Sequence, residues 1–531
     1  MSWARGPPRG LRSRDMTAGV VAAGHEATAA AGAAILRAGG SAIDAAIAAA
    51  FAGCVVEQPI YGFGGGGFML VHDAAAASET LLDFFIAMPG NGLEAEGRSV
   101  RPLVPTPVDF GGTIQMFRAG SASVGVPGFV LGLCEAHRRW ATMSLAELVR
   151  PARRLAEDGF RVTRQQEYLF TILEPMLSVT PQHRAVFYRG NEPLREGEMR
   201  GNRDMLAALD AIASRGAEDF YRGAFAERLV EEMRARGGGI TGEDLATYTA
   251  VERQPVRIRY RGTEFVSNPP PSSGGSLLAY ALSLLCEFDL SCEATSAYEH
   301  LRHIIEAMMA TNAARAARLS PEHGGYQDAL ERLLAEELIA EDRRQMSTRL
   351  GNTSHISTLD GDGNAVSLTG SNGEGSGLLW PGTGISLNNM LGEEDIVPEG
   401  VVYPAGERLT SMMAPSMLLR DGRPVLTLGS AGSIRIRGAL LQVIANVVDR
   451  RMELQAAVDA PRVHVEGDTV ELEPGLEPDL VDRLTAAGYR VRLWKERNLY
   501  FGGVQAAAEL DAGHRAGAGD PRRGGVAIVV E

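Results

Sequence analysis

The sequence is short of cysteine, of positive charge and of long apolar runs, and each shortage excludes a class of protein. Its 4 cysteines in 531 residues, Cys54, Cys134, Cys286 and Cys292, make no CxxC pair and no dense framework. A cysteine-bound metal knuckle and a disulfide-stapled scaffold are thereby excluded. Lysine and arginine number 52 against 66 acidic residues, a formal net charge of -14. With no basic excess to neutralise phosphates, no nucleic-acid partner is expected. No apolar run approaches the roughly 18 residues of a membrane span; Ala42–Val56 is rich in alanine but interrupted by Asp44. No membrane partner is expected either. Residues 1–17 are basic and rich in proline and glycine but lack the apolar stretch of a secretion signal. They are expected to be a disordered leader, and a cytoplasmic location follows.

What is present suits a folded globular chain, with 45% hydrophobic and 22% charged residues. The first part reads mainly as helix. His25–Ala38 is a helix closed by Gly39-Gly40, and Ser41 with Asp44 forms a capping-box pattern that starts the next helix. After Gly62-Phe63-Gly64-Gly65-Gly66-Gly67 come strands at Phe68–His72 and Thr80–Ala87. Met88–Ser121 shows no period, Leu133–Asp158 reads as helix interrupted near Pro151, and Thr163–Tyr248 reads as helices with polar joints. Val256–Tyr260 before Arg261-Gly262 fits a hairpin, Pro269–Gly275 caps a helix, and Ala297–Leu319 is another. Beyond Gly351 the texture turns to strand. His355–Leu359 and Ala365–Thr369 alternate about Asp360-Gly361-Asp362-Gly363-Asn364, a strong hairpin signal. Strands are also expected at Val425–Leu428, Val463–Glu466, Thr469–Leu472 and Val526–Val530, with a helix at Ile436–Asp449. The class is α+β, with no internal repeat and no inter-domain linker.

Four groupings bear on chemistry. A dinucleotide cradle needs its glycines between a strand and a helix, whereas the run Gly62–Gly67 precedes a strand. It is read instead as backbone that needs positive φ and close approach to another segment. His300, His303 and Glu306 share one helix but lack the further ligand a zinc site wants, so no metal and no cofactor is expected. No Gly-x-Ser-x-Gly elbow exists, and Ser272 and Ser273 read as helix caps. Thr353 stands where helical texture gives way to strand. By residue type alone it is an ordinary β-branched strand residue.

Several stretches together resemble the gamma-glutamyltransferase family. They are Ala30–Ile47, Gly64–Met69, Ser123–Gly128, Pro269–Gly275, Thr353–His355 continuing through Asp362–Ser367, Pro381–Ile385 with Leu387–Asn389, Gly429–Gly432, and Asp520–Arg522. They occur in family order from about residue 18 to the end. The resemblance implies a four-layer αββα sandwich of the N-terminal-nucleophile hydrolase type. It implies self-cleavage between Asn352 and Thr353, giving a large subunit of residues 18–352 behind the leader and a small catalytic subunit of residues 353–531. Thr353 then becomes the nucleophile. Its own α-amino group, which ordinarily titrates at about 7.7–8.0, is partly neutral near pH 7 and can take the hydroxyl proton. Also by resemblance, Gly432 and Ser433 supply oxyanion N–H donors. Ser371 stands beside the nucleophile's amine, Asn372 follows it, and Thr410 and Ser411 hold a substrate carboxylate.

The departures from the family pattern bear on substrate. Phe85 falls on the position of the arginine that clamps a glutamyl carboxylate, so an aromatic wall is expected in the pocket and no nearby arginine obviously replaces the clamp. Glu393 stands where an aspartate takes the substrate amine, and Met390 where glutamine or glutamate is common. The short segment Glu393–Thr410 implies that the lid loop of some relatives is missing. The function expected is cleavage of gamma-glutamyl amides such as glutathione, with transfer to water or an amine. The alternatives are an acylase acting on a non-glutamyl amide and, from another class, an unprocessed non-catalytic scaffold. The expected partners are a small-molecule amide and the two fragments of the precursor.

Overall fold

The computed structural model of the chain describes residues 15–109, 114–318, 353–398, 401–509 and 513–531. Asn352 and most of the leader lie outside them.

Two antiparallel sheets face each other. The first has seven strands, in the order Val251–Arg253, Ser78–Phe84, Gly66–Asp73, Ala365–Ser371, Ser354–Asp360, Gly19–Ala23 and Val526–Val530. The second has six: Val256–Tyr260, Thr263–Ser267, Ser416–Arg420, Arg423–Ala431, Gly503–Glu509 and Arg515–Gly519. Helices Glu26–Arg37 and Ala42–Val56 cover the outer face of the first sheet, and Gly274–Leu285 with Arg435–Val448 covers the second. This is the αββα sandwich that the resemblance implied.

The strand Ser354–Asp360 shows how alternation builds the layers. Ile356 faces the helix-side core and Leu359 the core between the sheets. Ser354 Oγ donates outward to Glu57, which also accepts from Thr28 Oγ1 at 2.6 Å. Burial holds the Glu57 carboxyl above its usual range, although both hydroxyls oppose the shift. His355 and Ser357 face inward. The His355 ring lies 2.7 Å from Thr369 Oγ1 through Nδ1 and 2.9 Å from Ser357 Oγ through Nε2. Because Ser357 Oγ donates onward to the Gln505 carbonyl, it must accept from the ring. That assigns the proton to Nε2 and makes Nδ1 the acceptor. The inter-sheet layer is thus hydrogen-bonded as well as apolar.

Gly429 makes room for that ring, since a Cβ there would sit 2.3 Å from its atoms. Gly429→Ala is expected to lower the urea midpoint, with a cost of about 1–3 kcal/mol or more from overpacking. An unchanged midpoint would show that the histidine layer can shift.

Several expectations are corrected. None of the glycines in Gly62–Gly67 has positive φ; close approach alone explains them. A Cβ at Gly64 would lie 2.2 Å from the Ser386 carbonyl oxygen, and one at Gly65 2.1 Å from that of Ser371. The helical break falls between Trp140 and Leu145, where Ser144 and Glu147 form a capping box, and Pro151 is accommodated within Leu145–Asp158. Met88–Ser121 contains a hairpin, Val104–Asp109 with Ile114–Ala119. Ser272 and Ser273 do not cap by side chain: their hydroxyls donate to the carbonyls of Ser411 and Met413, bedding that segment against the next helix. On the other helix His303 stacks on Phe288 at 4.0 Å, and Glu306 pairs with Arg302 at 2.6 Å.

Candidate active site

Thr353 lies at the end of the central strand Ser354–Asp360, 5% exposed. The register that pairs Ser354 with Gly370 sets it opposite Ser371. Both line a small open cleft, together with Met390, Glu393, Asp395, Ser411 and Ser433. Five of the expected site residues, scattered over 81 positions of sequence, therefore meet in one place: Thr353, Ser371, Glu393, Ser411 and Ser433.

The strand Arg423–Ala431 runs into helix Arg435–Val448 through Gly432 and Ser433. Both have positive φ, +120° and +51°. For serine this left-handed conformation carries strain that the surroundings must hold. The Ser433 hydroxyl is held by Asp395, donating to its Oδ2 at 2.7 Å. The Gly432 and Ser433 carbonyls accept from Arg435 and Ile436, at 3.0 Å each, and so begin the helix. No described residue accepts from either backbone N–H. Two donors beside the positive end of a 14-residue helix suit a developing oxyanion.

Glu393 is buried, and its Oε1 has no partner among the described residues. Burial drives its carboxyl well above the usual range, and the nearby carboxylates of Glu374 and Asp395 push it further. Burial and the two carboxylates both favour the protonated, neutral form of Glu393.

The remaining expected residues stand elsewhere. Thr410 donates to the Pro271 carbonyl at 2.7 Å and faces an adjoining chamber. Asn372 spends its amide on the carbonyls of Pro59 and Ser386, both at 3.0 Å, and does not line the cleft. Phe85 is no wall of the cleft. It is fully buried in the core between the sheets, its ring stacked on Phe68 at 5.4 Å. Its carbonyl accepts from the Tyr248 hydroxyl at 2.6 Å and from Arg408. Arg408 also reaches Asp83 and the Thr249 carbonyl, so this nearby cation is already occupied.

Residues 28–530 match the family model described as Gamma-glutamyltranspeptidase. The chain belongs to the gamma-glutamyltranspeptidase family. It is 34% identical over 490 residues to the "Acylase ACY 1 proenzyme" of Pseudomonas sp. (strain V22), covering 89% of this chain and 87% of that protein. It is 32% identical over 555 residues to the "Glutathione hydrolase proenzyme" of Bacillus subtilis (strain 168), covering 96% and 91%. The crystal structure of cephalosporin acylase from Bacillus halodurans superposes with a TM-score of 0.83 at 27% identity, over 100% of this chain and 99% of that one. The chain is accordingly an enzyme, a hydrolase or acyltransferase of the gamma-glutamyltransferase kind.

Against that family, sequence reasoning overlooked Asp395 as the brace of Ser433, Glu374 as the carboxylate beside Glu393, and Gly429 as the seat of His355. The strained turn had a readable signal, a serine next to glycine ahead of a helix. The braces lie too far along the chain to be inferred from local pattern.

Proposed function

We propose that the precursor cuts itself before Thr353 and that the freed threonine then cleaves amides. The Thr353 hydroxyl oxygen attacks the amide carbonyl while its proton passes to the Thr353 amine. The Gly432 and Ser433 N–H groups take the oxyanion. The C–N bond breaks, the amine leaves with that proton, and an ester to Thr353 remains. Water or a second amine attacks the ester, frees the acid or new amide, and restores the hydroxyl. The observation that carries this reading is the meeting of Thr353, Ser371 and the Gly432–Ser433 turn in one cleft.

A gamma-glutamyl amide such as glutathione is the first donor class, supported by the relative named a glutathione hydrolase and by Glu393. An ammonium group would take the place of the proton on Glu393. Calorimetric titration of an amine-bearing, non-cleaved donor analogue in buffers of different ionisation enthalpy should therefore show proton release near pH 7. Zero net proton exchange would remove Glu393 from amine recognition. A non-glutamyl acyl amide is the second class, supported by the relatives named acylases and by Met390, Ile396, Met412 and Met413 in the cleft wall. The test between them is kcat/KM for a gamma-glutamyl anilide and for a matched acyl anilide without amine and carboxylate. A hundredfold lead for either settles the class.

A further inference from the structure

Beside the Thr353 cleft lies a second chamber, and the two share Asp395 and Met412 as lining. Helices Gly274–Leu285 and Ala297–Arg318 bring Ser276 and Arg315 into its wall, opposite Thr410. Ser276 is fully buried and its hydroxyl has no partner among the described residues. Arg315, half-buried, has neither a hydrogen bond nor an ion pair among the described residues. Buried polar groups ordinarily find partners, and a guanidinium presents a fork of donors matched to a carboxylate. An unanswered hydroxyl and an unanswered cation in one chamber await the same kind of ligand.

We propose that this chamber is an anion subsite in which Arg315 and Ser276 bind a carboxylate at the far end of the donor's acyl chain. The inference rests on the amide-hydrolase reading above and adds the residues that select the donor. The cation absent at Phe85 is supplied from the helical layer over the second sheet. Thr410 has its proton on the Pro271 carbonyl, so it shapes the chamber without donating to the anion. Asp395 stands at the threshold, its carboxylate accepting from Ser433. An anion close to the scissile carbonyl would meet Asp395; one carried further along a methylene chain passes it and reaches Arg315. The subsite therefore selects amides of dicarboxylic acids or of glutamate by the position of the second carboxylate.

The experiment uses the purified enzyme, with ω-carboxyacyl 4-nitroanilides of increasing chain length and their methyl esters. Wild type should favour the free acid over its ester by about ten- to a hundredfold, the size of hydrogen bonding to a charged group. Arg315→Met should collapse that ratio, mainly through KM, and Arg315→Lys should recover part of it. Ser276→Ala should reduce the ratio several-fold without lowering Tm, since the hydroxyl bonds to no described residue in the free protein. Equal use of acid and ester by wild type, or an unchanged ratio in Arg315→Met, overturns the subsite. Calorimetric binding of the free dicarboxylates, compared between wild type and Arg315→Met, separates the two readings. If no anilide is turned over yet the dicarboxylate binds through Arg315, the amide-hydrolase reading fails and the subsite stands. If binding is the same in both proteins, the subsite fails.

Discussion

Thr353→Ala is expected to run as one chain on a denaturing gel, where wild type runs as two fragments, and to lose amidase activity by roughly four orders of magnitude or more. One atom accounts for both losses. Under the proposed function, the hydroxyl at the end of the strand Ser354–Asp360 would attack the preceding carbonyl, and the same oxygen would serve as the nucleophile of the mature site. The strand cannot drift to let another residue substitute. Ser354 is tied to Glu57 behind the sheet and His355 to Thr369 in front of it. Thr353→Ser keeps the oxygen and should still process, more slowly. Terminal sequencing of the smaller wild-type fragment should begin at Thr353. A start at any other residue, or a two-fragment gel for Thr353→Ala, removes the threonine from the cutting step.

The second large effect concerns acid. Burial pushes the His355 ring down to about 3 from its ordinary 6.5. The folded protein keeps the ring neutral because Nδ1 must accept and no solvent reaches it. The unfolded chain takes up a proton below about pH 6.5, and the native state does not do so until near 3. The stabilisation is therefore whole above about pH 6.5 and is lost as pH falls toward 3, on the order of 4–5 kcal/mol across the full span. Raised carboxyls such as Glu57 and Glu393 act in the opposite direction, so the clean measurement is a difference between two proteins. His355→Gln retains a donor and an acceptor but does not titrate. Urea melts of both should show the advantage of wild type shrinking by about 2 kcal/mol between pH 6.5 and 5. A pH-independent difference would mean the ring is hydrated or already charged.

The parts legible in the sequence were those where short-range pattern and final environment agree. Ser41 and Asp44 cap a helix because both partners lie within one turn. The hairpin around Asp360–Asn364 announces itself by alternation, and the structure extends it only to Ser354 and Ser371. The hairpin Val104–Asp109 was hidden because Pro105 and Pro107 belong to an isolated two-stranded ribbon, where a missing N–H is tolerated. In the site, resemblance located the residues but not their directions. Phe85 stands just past the end of the strand Ser78–Phe84, and its side chain packs into the inter-sheet core rather than the cleft. Arg315 is 230 positions away along the chain from Phe85, and only the packing of helix Ala297–Arg318 on Gly274–Leu285, itself laid over the second sheet, brings such a cation toward the substrate. Ser433 in the left-handed region was legible as part of a motif. Its dependence on Asp395 was not.

For a chain cut before Thr353, as proposed above, the strand order of the first sheet has a consequence. Gly19–Ala23, from before the scission point, is flanked by Ser354–Asp360 and Val526–Val530, both from after it; Ala365–Ser371, from after it, borders Gly66–Asp73, from before it. The two polypeptides are dovetailed. Neither can leave without stripping the other of a whole rung of hydrogen bonds, and neither carries a sheet that closes by itself. Scission before Thr353 would therefore release a reactive terminus without setting the halves loose, and the nicked enzyme should melt as one unit. Halves synthesised separately would each present raw edges to solvent and to one another's copies. The uninterrupted precursor is the template on which the pair is laid down, and once melted apart the two chains have no simple route back.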